Sequence, residues 1–235
     1  MERFKNCLYR EVCDYETPCK QACVRYAVTK YMLEKSGIPK KLWGINSLIP
    51  EECDLKAFEN LAYIRDNIEQ FVEEGNSIYI CSTNCGNGKT TWAIKLMLQY
   101  FNEVWDYTGF NARGLFLNVN EFLLKCKSSI SKPSKDFDEL KELIHKVDLV
   151  IWDDIGATKL SEYDYTLINE YVSYREFRGL SNIYTGNILP DELAEYVGTR
   201  LASRILNGLN CVTITLTGGD RRNGSVANNF SHLSI

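Results

Sequence analysis

No stretch of this sequence approaches the roughly 20 consecutive apolar residues that a membrane-spanning helix needs. Its first residues, MERFKNCLYREVCDYE, lack the basic, apolar, small-residue order of a secretory signal, so a cytoplasmic protein is expected. Excess positive charge is also missing: 27 Lys and Arg against 31 Asp and Glu leave a formal charge of -4. Proteins that coat nucleic acid carry a net positive field, so that class is excluded and any DNA contact must be a local patch. An even cysteine count is absent too. Nine thiols in a reducing compartment exclude a disulfide framework and leave core thiols or metal ligands. Neither an internal repeat nor a low-complexity tract is present.

What is present suffices for one α/β core with a small appendage: 235 residues, 45% of them hydrophobic and 12% aromatic. Residues 1–35 concentrate Cys7, Cys13, Cys19 and Cys23 and run into a helix-like stretch that Ser36-Gly37-Ile38-Pro39 ends. Residues 36–75 form a linker and an amphipathic helix, expected over 54–74 from apolar residues at three- and four-residue steps. Residues 76–222 alternate short apolar runs with helical patterns, and 223–235 form a tail. Strands are predicted at 77–81, 114–119, 148–152, 182–184 and 211–216, with helices at 90–100, 120–128, 135–146, 162–177 and 190–206. This alternation implies right-handed crossovers, a central five-stranded, mainly parallel sheet, and a ligand site at the carboxyl ends of its strands.

After the first strand comes Ser82-Thr83-Asn84-Cys85-Gly86-Asn87-Gly88-Lys89-Thr90-Thr91, followed at once by a helical pattern. In this Walker A arrangement inward-turned backbone N–H groups and the helix N-terminus cradle the β- and γ-phosphates of ATP. Lys89 would neutralise phosphate charge and Thr90 would ligate Mg²⁺. The usual first glycine is replaced by Thr83, tolerable if the backbone there stays extended. Further on, LVIWDD ends an apolar strand in two carboxylates. Asp153 would hold Mg²⁺ through a water, and Asp154 would orient or deprotonate the attacking water, a post usually held by Glu.

The fourth strand leads to Asn187, which can touch the γ-phosphate or the lytic water, or simply make a turn before Pro190. In GTRLASR, Arg200 and Arg204 stand four apart on one helix face. One of them, Arg204 before Arg200, could complete a neighbouring copy's site by stabilising the transferring phosphoryl group, which implies self-association through this domain. Arg221 and Arg222 could add a cation near the nucleotide. Lys125, Lys127, Lys132 and Lys135, interleaved with serines, form a candidate single-stranded DNA contact.

Together, DDIGATKLSE, TGN followed by PDEL, GTRLASR and GGDRR make residues 36–222 resemble the DnaC/DnaI/IstB branch of the AAA+ (ASCE-type) P-loop ATPases. The resemblance implies an ATPase, expected to be slow, that binds the replicative helicase and loads it onto single-stranded DNA under ATP control. It implies no helical lid domain, since residues 218–235 are too few for one, and it makes Arg222 the best match to the family's second sensor arginine. A transposition helper of the IstB kind shares the engine. A weakly hydrolysing adaptor is the alternative that Thr83 and Asp154 suggest. The four N-terminal cysteines, spaced C-x5-C-x5-C-x3-C, could surround Zn²⁺ in a helicase-docking segment, hold an iron–sulfur cluster, or remain unligated.

Overall fold

The computed structural model describes residues 23–43, 48–207 and 210–221. Cys7, Cys13, Cys19, Arg222 and the tail 223–235 lie outside the described residues. The apolar runs form β1 (Ser77–Cys81), β2 (Gly114–Asn118), β3 (Leu149–Asp153), β4 (Ser181–Gly186) and β5 (Cys211–Thr215). All pair in parallel, in the order β2-β3-β4-β1-β5. Side chains alternate across the sheet. Ile78, Ile80, Leu149 and Ile151 enter one core, whereas Tyr79, Cys81, Val150 and Trp152 enter the other.

The first core is covered by α1 (Val24–Lys35), α2 (Leu55–Asp66), α3 (Ile68–Glu73) and α4 (Lys89–Thr108). The second lies under α5 (Val119–Ser131), α6 (Lys135–Lys146), α7 (Glu162–Phe177), α8 (Pro190–Val197) and α9 (Thr199–Asn207). Helices on both faces bury every residue of β3 and β4 and all of β1 beyond Ser77. None of the described helices is long and apolar enough to cross a membrane.

Several boundaries differ from expectation for local reasons. The helix expected over 54–74 breaks at Asn67, whose backbone leaves the helical region (φ -122°, ψ 29°) and whose side chain donates to the Tyr63 carbonyl at 2.8 Å. The helix expected over 190–206 breaks at Gly198, where φ is +84°. β2 stops at Asn118 because that side chain caps α5, accepting from the Glu121 N–H at 3.2 Å. α4 continues eight residues past Tyr100, to Thr108.

The helix of the amino-terminal segment packs into the first core. Val28, Met32 and Leu33 of α1 are at most 2% exposed and share one core with α4. The Ser36 carbonyl accepts from the Phe116 N–H at 2.6 Å, covering the outer edge of β2. At the sheet's amino-terminal end, fully buried Arg175 of α7 donates to Asn182 Oδ1 and to the carbonyls of Ile144, Val147, Asp148 and Ser181 at 2.6 to 3.0 Å. Burial pushes its guanidinium down to about 9, so it stays charged at neutral pH.

Candidate functional site

The strand order places β4 between β1 and β3, so the segments leaving these three strands converge. They border a cleft of about 520 Å³ lined by Leu48, residues 85–91, Asp153, Asp154, Thr185, Asn187 and Arg221. Gly86 and Gly88 adopt φ of +73° and +105°, a left-handed backbone that side chains resist, and so turn the loop toward the N-terminus of α4. Thr83 keeps a negative φ, which is why a β-branched residue fits there.

Eight of the expected nucleotide-binding residues line the cleft: Cys85, Gly86, Asn87, Gly88, Lys89, Thr90, Thr91 and Asp153. Thr83 and Asn84 do not. Asn84 braces the loop instead, its amide donating to the carbonyls of Thr217 and Gly218 at 2.8 and 3.1 Å. Lys89 Nζ donates to the Asn84 carbonyl at 2.8 Å and to Asn87 Oδ1 at 3.2 Å. Burial pulls its ammonium below the ordinary lysine range, against nearby Cys85, Asp154, Cys81 and Asp153. An arriving polyanion would reverse that pull.

A hydrogen-bonded chain forms the cleft floor. Asp153 Oδ1 accepts from Thr90 Oγ1 at 2.7 Å and from Thr185 Oγ1 at 2.8 Å. Thr185 Oγ1 in turn accepts from the Asp154 N–H at 3.0 Å, and Asp154 Oδ1 accepts from Asn187 Nδ2 at 2.9 Å. Asp154 sits at φ 62°, so the chain turns between the two acids and sends their carboxylates apart. Burial and the charge of Asp153 raise the Asp154 carboxyl above the ordinary range, with Lys89 opposing. Thr90 and Asp153 offer two hard oxygens in contact, a donor set that fits Mg²⁺.

Thr185 was missed in the sequence; its only signal is a hydroxyl in a strand wedged between two phosphate-side strands. Arg221 lines the cleft, whereas Arg222 is outside the described residues. Arg200 is exposed, and Arg204 is ion-paired with Glu176 beside Gly75, Ser77 and Asn210. That is the opposite end of the sheet from the cleft. Lys127 is engaged by Asp164 at 2.8 Å, while Lys125 and Lys132 line a groove of about 320 Å³ with Ser128, Ser129 and Ser134. Among the described residues no group of three or more His, Cys, Asp or Glu is placed to hold a metal ion. Of the four N-terminal cysteines only Cys23, preceding α1, is described.

No protein-family model matches the chain, and no curated protein matches its sequence. Solved structures do. The DnaC helicase loader superposes with a TM-score of 0.60 at 19% identity, over 75% of this chain and 99% of that one. DnaI gives 0.58 at 21% identity, over 80% and 95%. AMPPCP-bound DnaA from Aquifex aeolicus gives 0.58 at 20% identity, over 85% of this chain and 58% of that one. The chain has the AAA+ P-loop NTPase fold, in the form shared by the DnaC helicase loader and DnaI.

Proposed function

We propose that the chain is an ATP-driven helicase loader that delivers a replicative helicase onto single-stranded DNA. The observation that carries its use of ATP is the unbroken hydrogen-bonded chain Thr90–Asp153–Thr185–Asp154–Asn187 beside Lys89. Backbone N–H groups at the start of the 20-residue α4 would cradle the phosphates, and Lys89 would leave its loop partners to pair with them. Thr90 and Asp153 would hold Mg²⁺, which when bound neutralises charge on the phosphate oxygens. Asp154, aimed by Asn187, would orient the attacking water and accept its proton. The loader role is supported by likeness over 99% of the DnaC helicase loader. DNA contact is supported by the Lys125 and Lys132 groove.

Residues 1–22, with Cys23, would form the helicase-docking segment, stapled by Zn²⁺ through Cys7, Cys13, Cys19 and Cys23. Co-precipitation with a replicative helicase, with and without ATP, tests the assignment. Removing residues 1–22, which leaves α1 in the core, should abolish capture, and undiminished capture would move the docking site elsewhere. A second reading, a weakly hydrolysing adaptor, is favoured by the shorter Asp154 tethered to Asn187 at 2.9 Å. Turnover measured with and without single-stranded DNA separates the two, because the adaptor stays barely active in either case.

A further inference from the structure

Residues 48–54 form a strap that leads from the cleft to the loop after β5. Leu48 lines the cleft, and a Cβ added at Gly88 would come within 3.1 Å of Leu48 Cδ1. The strap is fastened at Asp54, which is fully buried. Its Oδ1 accepts from the Thr217 N–H at 2.7 Å and from Thr217 Oγ1 at 3.1 Å, and its Oδ2 accepts from the Gly218 N–H at 3.1 Å. The fit admits only glycine, since a Cβ at 218 would lie 2.6 Å from Asp54 Oδ2. Glu51 repeats the motif on the Gly219 N–H at 3.1 Å.

Both carboxylates also face Arg221. Its Nη2 is 3.5 Å from Asp54 Oδ2 and 4.0 Å from Glu51 Oε1, and its Nη1 donates to the Ile49 carbonyl. The Arg221 backbone N–H donates to the Gly86 carbonyl at 3.0 Å, and the guanidinium stands 5.0 Å from the Phe58 ring centre. Arg221, in the loop after β5, therefore reaches the strap with its guanidinium and the phosphate loop with its backbone, and it lines the cleft. Its Nε is buried and has no partner among the described residues. Nη1 and Nη2 each carry a second N–H, and a guanidinium braced on one side in this way is prepared for a phosphate oxygen, which planar forks bind with directional, charge-assisted bonds.

We propose that Asp54 is a positioning residue that holds Arg221 against the nucleotide phosphates, so that occupancy of the cleft pulls on the strap formed by residues 48–54. This rests on the cleft being a nucleotide site. Asp54 acts on the phosphates through Arg221, while its bonds to Thr217 and Gly218 fix the carboxylate in place.

The test is a double-variant cycle on the full chain, read by titration with a fluorescent ATP analogue. Asp54→Asn should weaken binding about fivefold and Arg221→Ala about tenfold. The double variant should be no weaker than Arg221→Ala, because Asp54 has no effect once its arginine is gone. Losses that multiply, to about fiftyfold, would make Asp54 merely structural and overturn the proposal, as would unaltered binding by a folded Asp54→Asn protein. Should Asp54→Asn fail to fold, hydrogen exchange decides. ATP should slow exchange over residues 48–54 in the parent and not in Arg221→Ala, and equal protection in both overturns the coupling. If the parent binds no ATP, the nucleotide reading itself falls, a result distinct from a parent that binds but shows multiplicative losses.

Discussion

Asp154 holds its proton more tightly in the folded chain than in the unfolded one, because burial and Asp153 outweigh Lys89. A carboxyl raised in this way favours the fold most below its unfolded value and loses that contribution as pH rises through its folded value. Once ionised, it carries its charge against the preference of its surroundings. Asp154→Asn removes that charge and keeps an acceptor for Asn187. Its thermal midpoint at pH 7 should equal or exceed the parent's and ATP affinity should persist, while hydrolysis falls roughly 10²–10⁴-fold. Thermal melts and phosphate release check this; a lowered midpoint with unchanged turnover would take Asp154 out of the chemistry. Gly186 poses a packing demand nearby. A Cβ there would lie 2.6 Å from the Tyr79 hydroxyl and 2.8 Å from the Ile155 carbonyl, and the latter cannot step aside. Gly186→Ala should cost about 1–3 kcal/mol, read as a lower urea midpoint with unchanged slope.

Among the elements, α7 was legible to the residue, because Ser161 marks its start by accepting from the Asp164 N–H. β1 was equally clear, an apolar run bounded by polar residues. The phosphate loop and both acids were legible because their chemistry is written in adjacent residues. Asp54 was not, since its partners stand 163 residues or more away in sequence and only folding brings them together. The breaks at Asn67 and Gly198 were hidden for another reason: apolar spacing continues through both, so periodicity alone reads one helix. The α5–α6 connection shows how structure divides a cluster that sequence treats as one. Lys127 is held by Asp164, whereas Lys125 and Lys132 face an open groove and Lys135 is exposed. Alanine at Lys125, Lys132 and Lys135 should weaken single-stranded DNA binding and flatten its salt dependence by about 0.7 for each phosphate no longer neutralised. Lys127→Ala should leave the slope unchanged and cost less than about 1 kcal/mol of stability. Anisotropy titrations across a salt series measure this, and an unaltered slope in the triple variant would move DNA binding to another surface.

At the scale of the whole molecule, the decisive feature is that Arg204 and the cleft occupy opposite ends of the sheet. Arg204 stands beside Ser77, the first residue of β1, whereas the phosphate loop begins beyond Cys81, the last. A five-residue strand spans roughly 16 Å, too far for the side chain to serve its own chain's nucleotide. An arginine so placed cannot serve its own cleft, so the expected role in hydrolysis is one exercised on a neighbouring copy. Hydrolysis should then rise with protein concentration faster than linearly, and Arg204→Ala should lower it roughly 10³-fold or more while ATP binding is kept. Complementation makes the argument specific. Lys89→Ala lacks a working cleft but retains Arg204, and Arg204→Ala has the cleft but lacks the arginine. Neither alone should turn over ATP. Mixed, they should recover hydrolysis, because the first lends its arginine to the second at each mixed interface. A mixture as inactive as its parts, from proteins that still associate, would assign Arg204 to its bond with Glu176 alone and leave Arg200 as the group to test.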